Sequence, residues 1–171
     1  MKRAGELIVL LLVGWTQVFA ETGKAIIQGT TEGSVISGSA TLAETPDGLQ
    51  VTTQVANVSP GQHGLHIHQY GSCGDGGNAA GGHYNPDGIK HGYLPRDGFA
   101  KAHAGDFGNI EIGADGTGTL TLVLPGLSLS GGKYSVGGRA IVLHEKVDDF
   151  SQPTGNAGGR IGCGHILITG E

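Results

Sequence analysis

Short runs of alternating apolar and polar residues recur along this chain after residue 20, and helical periodicity is nearly absent there. Residues 24–28 read as a first strand. Residues 35–42 alternate weakly and 48–55 clearly, and the turn-forming Pro46-Asp47-Gly48 joins them as a hairpin. Residues 65–69 form the next strand. Residues 110–112 and 118–124 flank a second hairpin signal, Asp115-Gly116, and residues 139–144 and 164–168 complete about eight strands. Short strands separated by turns predict an all-β, antiparallel sandwich or barrel. Two stretches break the pattern. Residues 70–107 are long, polar and glycine-rich, and residues 145–159 form a second irregular segment. Loops of that length in a compact domain are functional or disordered.

The first twenty residues stand apart from this domain. Lys2 and Arg3 precede an apolar stretch over 7–13, and Val18-Phe19-Ala20 fits a small-x-small cleavage site. The apolar part is too short for a membrane span, so the pattern predicts a secretory signal peptide over 1–20 and a mature domain over 21–171. A periplasmic or secreted protein with no membrane partner follows. Losing Lys2, Arg3 and Glu6 moves the net charge from -5 to -6. A chain of that sign has no general attraction for nucleic acid, so an anionic substrate needs a local positive field. The 34 glycines show no fixed period and fit a chain rich in turns. Cys73 and Cys163 are the only cysteines. An even pair in an exported chain points to a disulfide, with a cysteine-ligated metal as the alternative.

The candidate chemistry lies in six histidines and one aspartate: His66, His68, His83, His91, His103, Asp106 and His144. Imidazole is the commonest ligand of transition metals, and a carboxylate beside it suits zinc. His66 and His68 lie two apart in an apolar run, so in a strand both rings share a face. Seven ligands exceed the need of one four-coordinate ion, whereas two ions sharing one bridging residue would use them all. Four of the seven fall in the first irregular stretch, which metal binding would order without secondary structure of its own.

Five segments resemble the copper/zinc superoxide dismutase family, in that family's order and across essentially the whole mature chain. They are Gly64-Leu65-His66-Ile67-His68, Gly81-Gly82-His83-Tyr84-Asn85-Pro86, His103-Ala104-Gly105-Asp106-Phe107-Gly108-Asn109, His144-Glu145-Lys146-Val147-Asp148-Asp149, and Gly155-Asn156-Ala157-Gly158-Gly159-Arg160-Ile161-Gly162-Cys163-Gly164. The resemblance implies an eight-stranded Greek-key sandwich or flattened barrel of immunoglobulin-like architecture with two long functional loops. It implies an antioxidant enzyme that turns two superoxide anions and two protons into dioxygen and hydrogen peroxide. One copper per subunit would be held by His66, His68, His83 and His144, and one zinc by His83, His91, His103 and Asp106. His83 would bridge the ions and carry a proton. Asp148 would link the rings of His66 and His91, Arg160 would receive the anion, and Cys73 and Cys163 would form the disulfide. A homodimer is implied, with a monomer as the alternative.

Departures from the common eukaryotic form accompany the match. About three extra residues lie between His91 and His103. The segment from His144 to Arg160 is short and carries Gln152-Pro153-Thr154 where a steering lysine is expected, which leaves guidance to Arg160, the metals, Lys146 or Lys101. With the signal peptide, that short loop resembles the bacterial exported type. His63 matches a position that props the backbone of the copper strand, and His165 reads as a surface or strand-end residue. Rival readings are a non-catalytic metal-binding domain of the same fold and a metal-storage protein. The first would be expected to lack a copper ligand or the arginine, and this chain keeps them all.

Overall fold

The alternating runs become strands in the computed structural model, which describes residues 20–170. These are β1 (Thr22–Gly29), β2 (Ser37–Thr45), β3 (Gly48–Ala56), β4 (Gly61–His68), β5 (Asp106–Ile112), β6 (Gly118–Leu124), β7 (Ala140–His144), β8 (Arg160–His165) and β9 (Leu167–Gly170). The signal peptide read from residues 1–20 lies, but for Ala20, outside the described residues. Hydrogen bonds order the strands β2-β3-β6-β5-β4-β7-β8-β1-β9, and β1 also pairs with β2. That extra pairing closes the sheet into an antiparallel barrel with eight strand positions, because β8 and β9 share one edge of β1. The path from β3 to β6 and back through β5 to β4 makes it a Greek key. Among the described residues, no helix is long and apolar enough to cross a membrane.

Alternation builds the core. In β3, Leu49, Val51, Thr53 and Val55 are buried, while Gln50 and Gln54 are exposed. Strands β4 and β7 instead bury both faces: residues 63–68 and all of β7 are covered. Leu65, Ile67, Ile141 and Leu143 join the main core. Ala140 and Val142, of the opposite parity, pack with Ala80, Cys73 and Cys163 under the first long loop. His66, His68 and His144 share that outer face.

The long loop is strapped onto β4. Ile67 N–H donates to Gly105 C=O (2.9 Å), Tyr84 N–H donates to Ile67 C=O (2.8 Å), and Gly105 N–H donates to Tyr84 C=O (3.0 Å). A Cβ on Gly105 would stand 2.1 Å from the Ile67 oxygen, so only glycine permits this approach. The loop is not wholly irregular, as the sequence pattern suggested. It holds a 3-10 turn (Asn78–Ala80) and a short helix, α1 (Leu94–Asp97), with Pro95 in its first turn and Gly98 closing it at φ 65°.

The last strand also differs from expectation. Residues 164–168 are not one strand: β8 begins at Arg160, and the ladder breaks at the buried Ile166. Gly162 and Gly164 hide the alternation of β8, and its pairing with β7 and β1 specifies it instead.

Cys73 and Cys163 form a disulfide with Cα atoms 5.7 Å apart, across a sequence separation of 90 residues. Closing a loop of that length removes about 4–5 kcal/mol of chain entropy from the unfolded state. Reduction of the metal-free protein should therefore lower its melting temperature by roughly 10 °C, as read by scanning calorimetry. An unchanged midpoint would show that the crosslink does not hold the loop.

Candidate metal centre

Two irregularities in the barrel ladders prepare the site. A register shift in the β4–β5 pairing places Asp106 opposite His66, and one in the β7–β8 pairing places Arg160 opposite His144. An isolated bridge between His68 and His83 brings the long loop to the end of β4. Two four-residue groups result, each with ligand atoms within 4.8 Å of one another. They are His66, His68, His83 and His144, and His83, His91, His103 and Asp106. All seven residues are buried. His83 belongs to both groups, its ring centroid 4.0 Å from that of His66 and 5.2 Å from that of His91.

Hydrogen bonds on the far side of each ring decide which nitrogen faces inward. In the first group, His66 Nε2–H donates to Asp148 Oδ2 (2.8 Å), and Nδ1 has no partner. His68 Nδ1–H donates to Gly81 C=O (2.9 Å), and His144 Nδ1–H is directed at Gly158 C=O (3.4 Å). The Nε2 atoms of His68 and His144 then face each other as lone pairs, 3.2 Å apart. Two nitrogens bound about 2.0–2.1 Å from a shared ion at a tetrahedral angle lie about 3.3 Å apart. The spacing suits a cation between them.

The second group is built on Asp106. Its Oδ1 lies 2.9 Å from His83 Nδ1 and 3.1 Å from His103 Nδ1, and its Oδ2 lies 2.9 Å from His91 Nδ1. His103 Nε2–H donates to Ile89 C=O (3.0 Å), and His91 Nε2–H donates to Asp148 Oδ1 (2.9 Å). In the neutral rings the inward nitrogens of both therefore meet a carboxylate with their lone pairs. His91 Nδ1 is close to Asp106 yet out of line for a hydrogen bond. A proton must lie along such a line, whereas a metal ion needs only converging lone pairs. The donor set fits a divalent cation.

Electrostatics agree. Burial pushes His68 down to about 2, His144 to about 3 and His83 to about 4, so these rings stay neutral and able to ligate. Burial lowers His66 as well. Burial also acts downward on His91, but the neighbouring carboxylates of Asp106 and Asp148 outweigh it and raise that ring to about 9, so a cation bound there displaces a proton. Burial would raise Asp106 and Asp148, but the surrounding imidazoles hold both well below the ordinary carboxylate range. Asp148 thus spans the groups, joining the outer nitrogens of His66 and His91.

Arg160 is half-buried beside the first group. Its guanidinium donates to the carbonyls of Gly77 (2.7 Å) and Gly81 (2.6 Å), and the second of these also receives His68 Nδ1–H. A cavity of about 460 Å³ lies against this group, lined by His144, Lys146, Thr154 and Asn156 among others. A larger one, about 820 Å³, opens on the rings of the second group and carries Lys90, Lys101 and Gln152.

Every residue singled out in the sequence as a ligand, bridge or link is thus drawn together here. His63 Nδ1–H donates to His144 C=O (2.9 Å), which props the backbone as expected. His165 is exposed at the end of β8, against Gly71. Two contributors were not foreseen. Asn109 clamps Asp148 by accepting from its N–H (2.7 Å) and donating to its C=O (2.9 Å), and Gln152 holds the backbone of His91 in the same way. Partners 39 and 61 positions apart leave no local signal.

Comparison with known proteins bears on the same residues. The family model described as copper/zinc superoxide dismutase matches residues 36–166. Superoxide dismutase [Cu-Zn] 2 of Brassica juncea is 41% identical over 157 residues, covering 86% of this chain and 99% of that protein. Extracellular superoxide dismutase [Cu-Zn] of Caenorhabditis elegans is 45% identical over 125 residues, covering 69% of this chain and 55% of that longer protein. The crystal structure of the clock protein EA4 superposes with a TM-score of 0.78 at 35% identity, over 93% of this chain and 100% of that one.

Proposed function

The chain belongs to the copper/zinc superoxide dismutase family, and on that premise we propose how its residues divide the work. The reaction turns two superoxide anions and two protons into dioxygen and hydrogen peroxide. Copper, when bound, supplies the one-electron couple that oxidises one superoxide and reduces the next, while zinc has no redox role.

His66, His68, His83 and His144 would hold the copper, and His83, His91, His103 and Asp106 would hold the zinc. The two lone pairs 3.2 Å apart on His68 and His144 carry this reading. His83 Nδ1 is committed to the Asp106 side, which leaves Nε2 as the nitrogen that serves the first group and hands one proton to the reduced product. Asp148 fixes the orientation and tautomer of His66 and His91 together. Arg160, fixed by two carbonyls, presents the rest of its planar fork to the anion. Metal content and superoxide consumption of the purified mature chain, before and after chelation, test the assignment. Two cations per chain and chelator-sensitive activity are expected, and a single cation overturns it.

Arg160→Glu should slow the reaction at low salt by about tenfold or more, the range of electrostatic guidance. The sign of the salt effect should also invert. Salt screens an attraction in the natural protein and a repulsion in the variant, so added salt slows the first and speeds the second. An unchanged rate would make Arg160 a bystander.

Export is part of the reading, with residues 1–20 as the cleaved signal peptide and the periplasm or the exterior as destination. The disulfide and the likeness to an extracellular relative support it. A homodimer is included too, on the exposed apolar Ile26, Leu167 and Ile168 of β1 and β9. Sedimentation at the mass of one chain would remove it.

A further inference from the structure

The segment Gln152-Pro153-Thr154 has no part in the chemistry above, yet its first residue touches the second metal group. We propose that Gln152 is a positioning residue for His91 and slows loss of the ion from that group. The inference rests on the zinc assignment above.

His91 lies in a stretch without strand or helix, so no ladder serves its backbone. The residue is buried, and buried N–H and C=O groups must find partners. Among the described residues, the side-chain amide of Gln152 partners both. His91 N–H donates to Gln152 Oε1 at 3.0 Å, and Gln152 Nε2–H donates to His91 C=O at 2.8 Å. This pair of antiparallel bonds copies one rung of a β-ladder with a side chain. It fixes the height of the His91 Cα above Asp106 and Asp148. The ring must reach both carboxylates at once, at 2.9 Å from each, so small backbone shifts break one contact or the other. Phe150 stacks on the same ring with centroids 6.3 Å apart and limits its tilt.

The clamp also ties the two loops together. Gln152 belongs to the segment whose Thr154 lines both cavities, and its partner belongs to the loop that carries His83, His91 and His103. Gln152 is itself solvent-exposed, so it can change without opening the core.

The experiment compares the fully metallated natural protein with Gln152→Ala and Gln152→Glu. Zinc transfer to excess chelator is followed with a chromogenic indicator, copper by its visible absorbance, and the zinc-site geometry by the spectrum of cobalt-substituted protein. Gln152→Ala should release zinc about tenfold faster, within the range for loss of an outer partner of a ligand, and broaden the cobalt bands. Copper loss should stay unchanged, while the metal-free melting temperature should fall by a few degrees because two buried backbone groups lose their partner. Gln152→Glu keeps the acceptor for His91 N–H and should fall between. Zinc release at the natural rate from Gln152→Ala overturns the proposal, as does equal acceleration of both metals. A natural protein with no second cation would instead overturn the zinc assignment, and this inference with it.

Discussion

Replacing His144 with alanine should abolish dismutation and strip the first group of copper while zinc stays bound. His144 supplies one of four buried imidazoles there and none of the donors around Asp106. Its Nε2 is the atom opposed to His68 Nε2 at 3.2 Å, so the variant leaves His68 with no facing donor. The backbone carbonyl that receives His63 survives the substitution, and β7 keeps its buried Val142 and Leu143. The loss is therefore local. Activity should fall at least a hundredfold or so, the upper end of what removing even an outer partner does. Elemental analysis should return about one zinc and almost no copper per chain. Retained copper or retained activity would refute the ligand assignment.

Much of this centre could be read from the chain, and the reason is parity. His66 and His68 had to share a face because strand side chains alternate, and β4 keeps that alternation. The clear alternation of residues 48–55 gave β3 almost to its ends. The last strand, expected over 164–168, catches only the end of β8, because Gly162 and Gly164 carry no side chain to show which face is inside. The bulges opposite His66 and His144 were equally silent, since a register shift is a property of two strands paired in space.

The loops were legible only as ligand carriers. The sequence marks His91 through chemistry any donor set needs and Asp148 through the family resemblance, but the amides of Gln152 and Asn109 that hold them are common surface residues in composition. Their roles arise when segments far apart in sequence meet. The same holds for the carbonyls of Gly77 and Gly81 that aim Arg160, because backbone groups have no signature at all. Donor chemistry in a sequence thus reaches the atoms that would touch the ions, the family resemblance adds orienting residues such as Asp148 and His63, and the amides and carbonyls behind them are reached by neither.

Gly155→Ala should be the most damaging single methyl in the second loop, and Gly158→Ala is its control. Both glycines have left-handed φ, 73° and 77°, so each substitution carries a backbone cost of about 1–2 kcal/mol. They differ in what the new Cβ meets. At Gly158 it reaches the flexible Lys146 side chain at 3.0 Å, which can swing aside. At Gly155 it would lie 1.8 Å from Asp148 Oδ1 and 2.7 Å from His91 Nε2. Asp148 cannot yield cheaply, since its carboxylate is pinned by His66 at 2.8 Å, His91 at 2.9 Å and Phe150 N–H at 2.8 Å. Relief of the overlap must break the link between the two groups, leaving a buried ring nitrogen without its acceptor. Gly155→Ala should therefore weaken zinc binding by about 10–100-fold, while Gly158→Ala shows only the backbone cost. Chelator competition on the two variants decides it: equal zinc affinities would mean that Asp148 does not join His66 to His91 in the working protein.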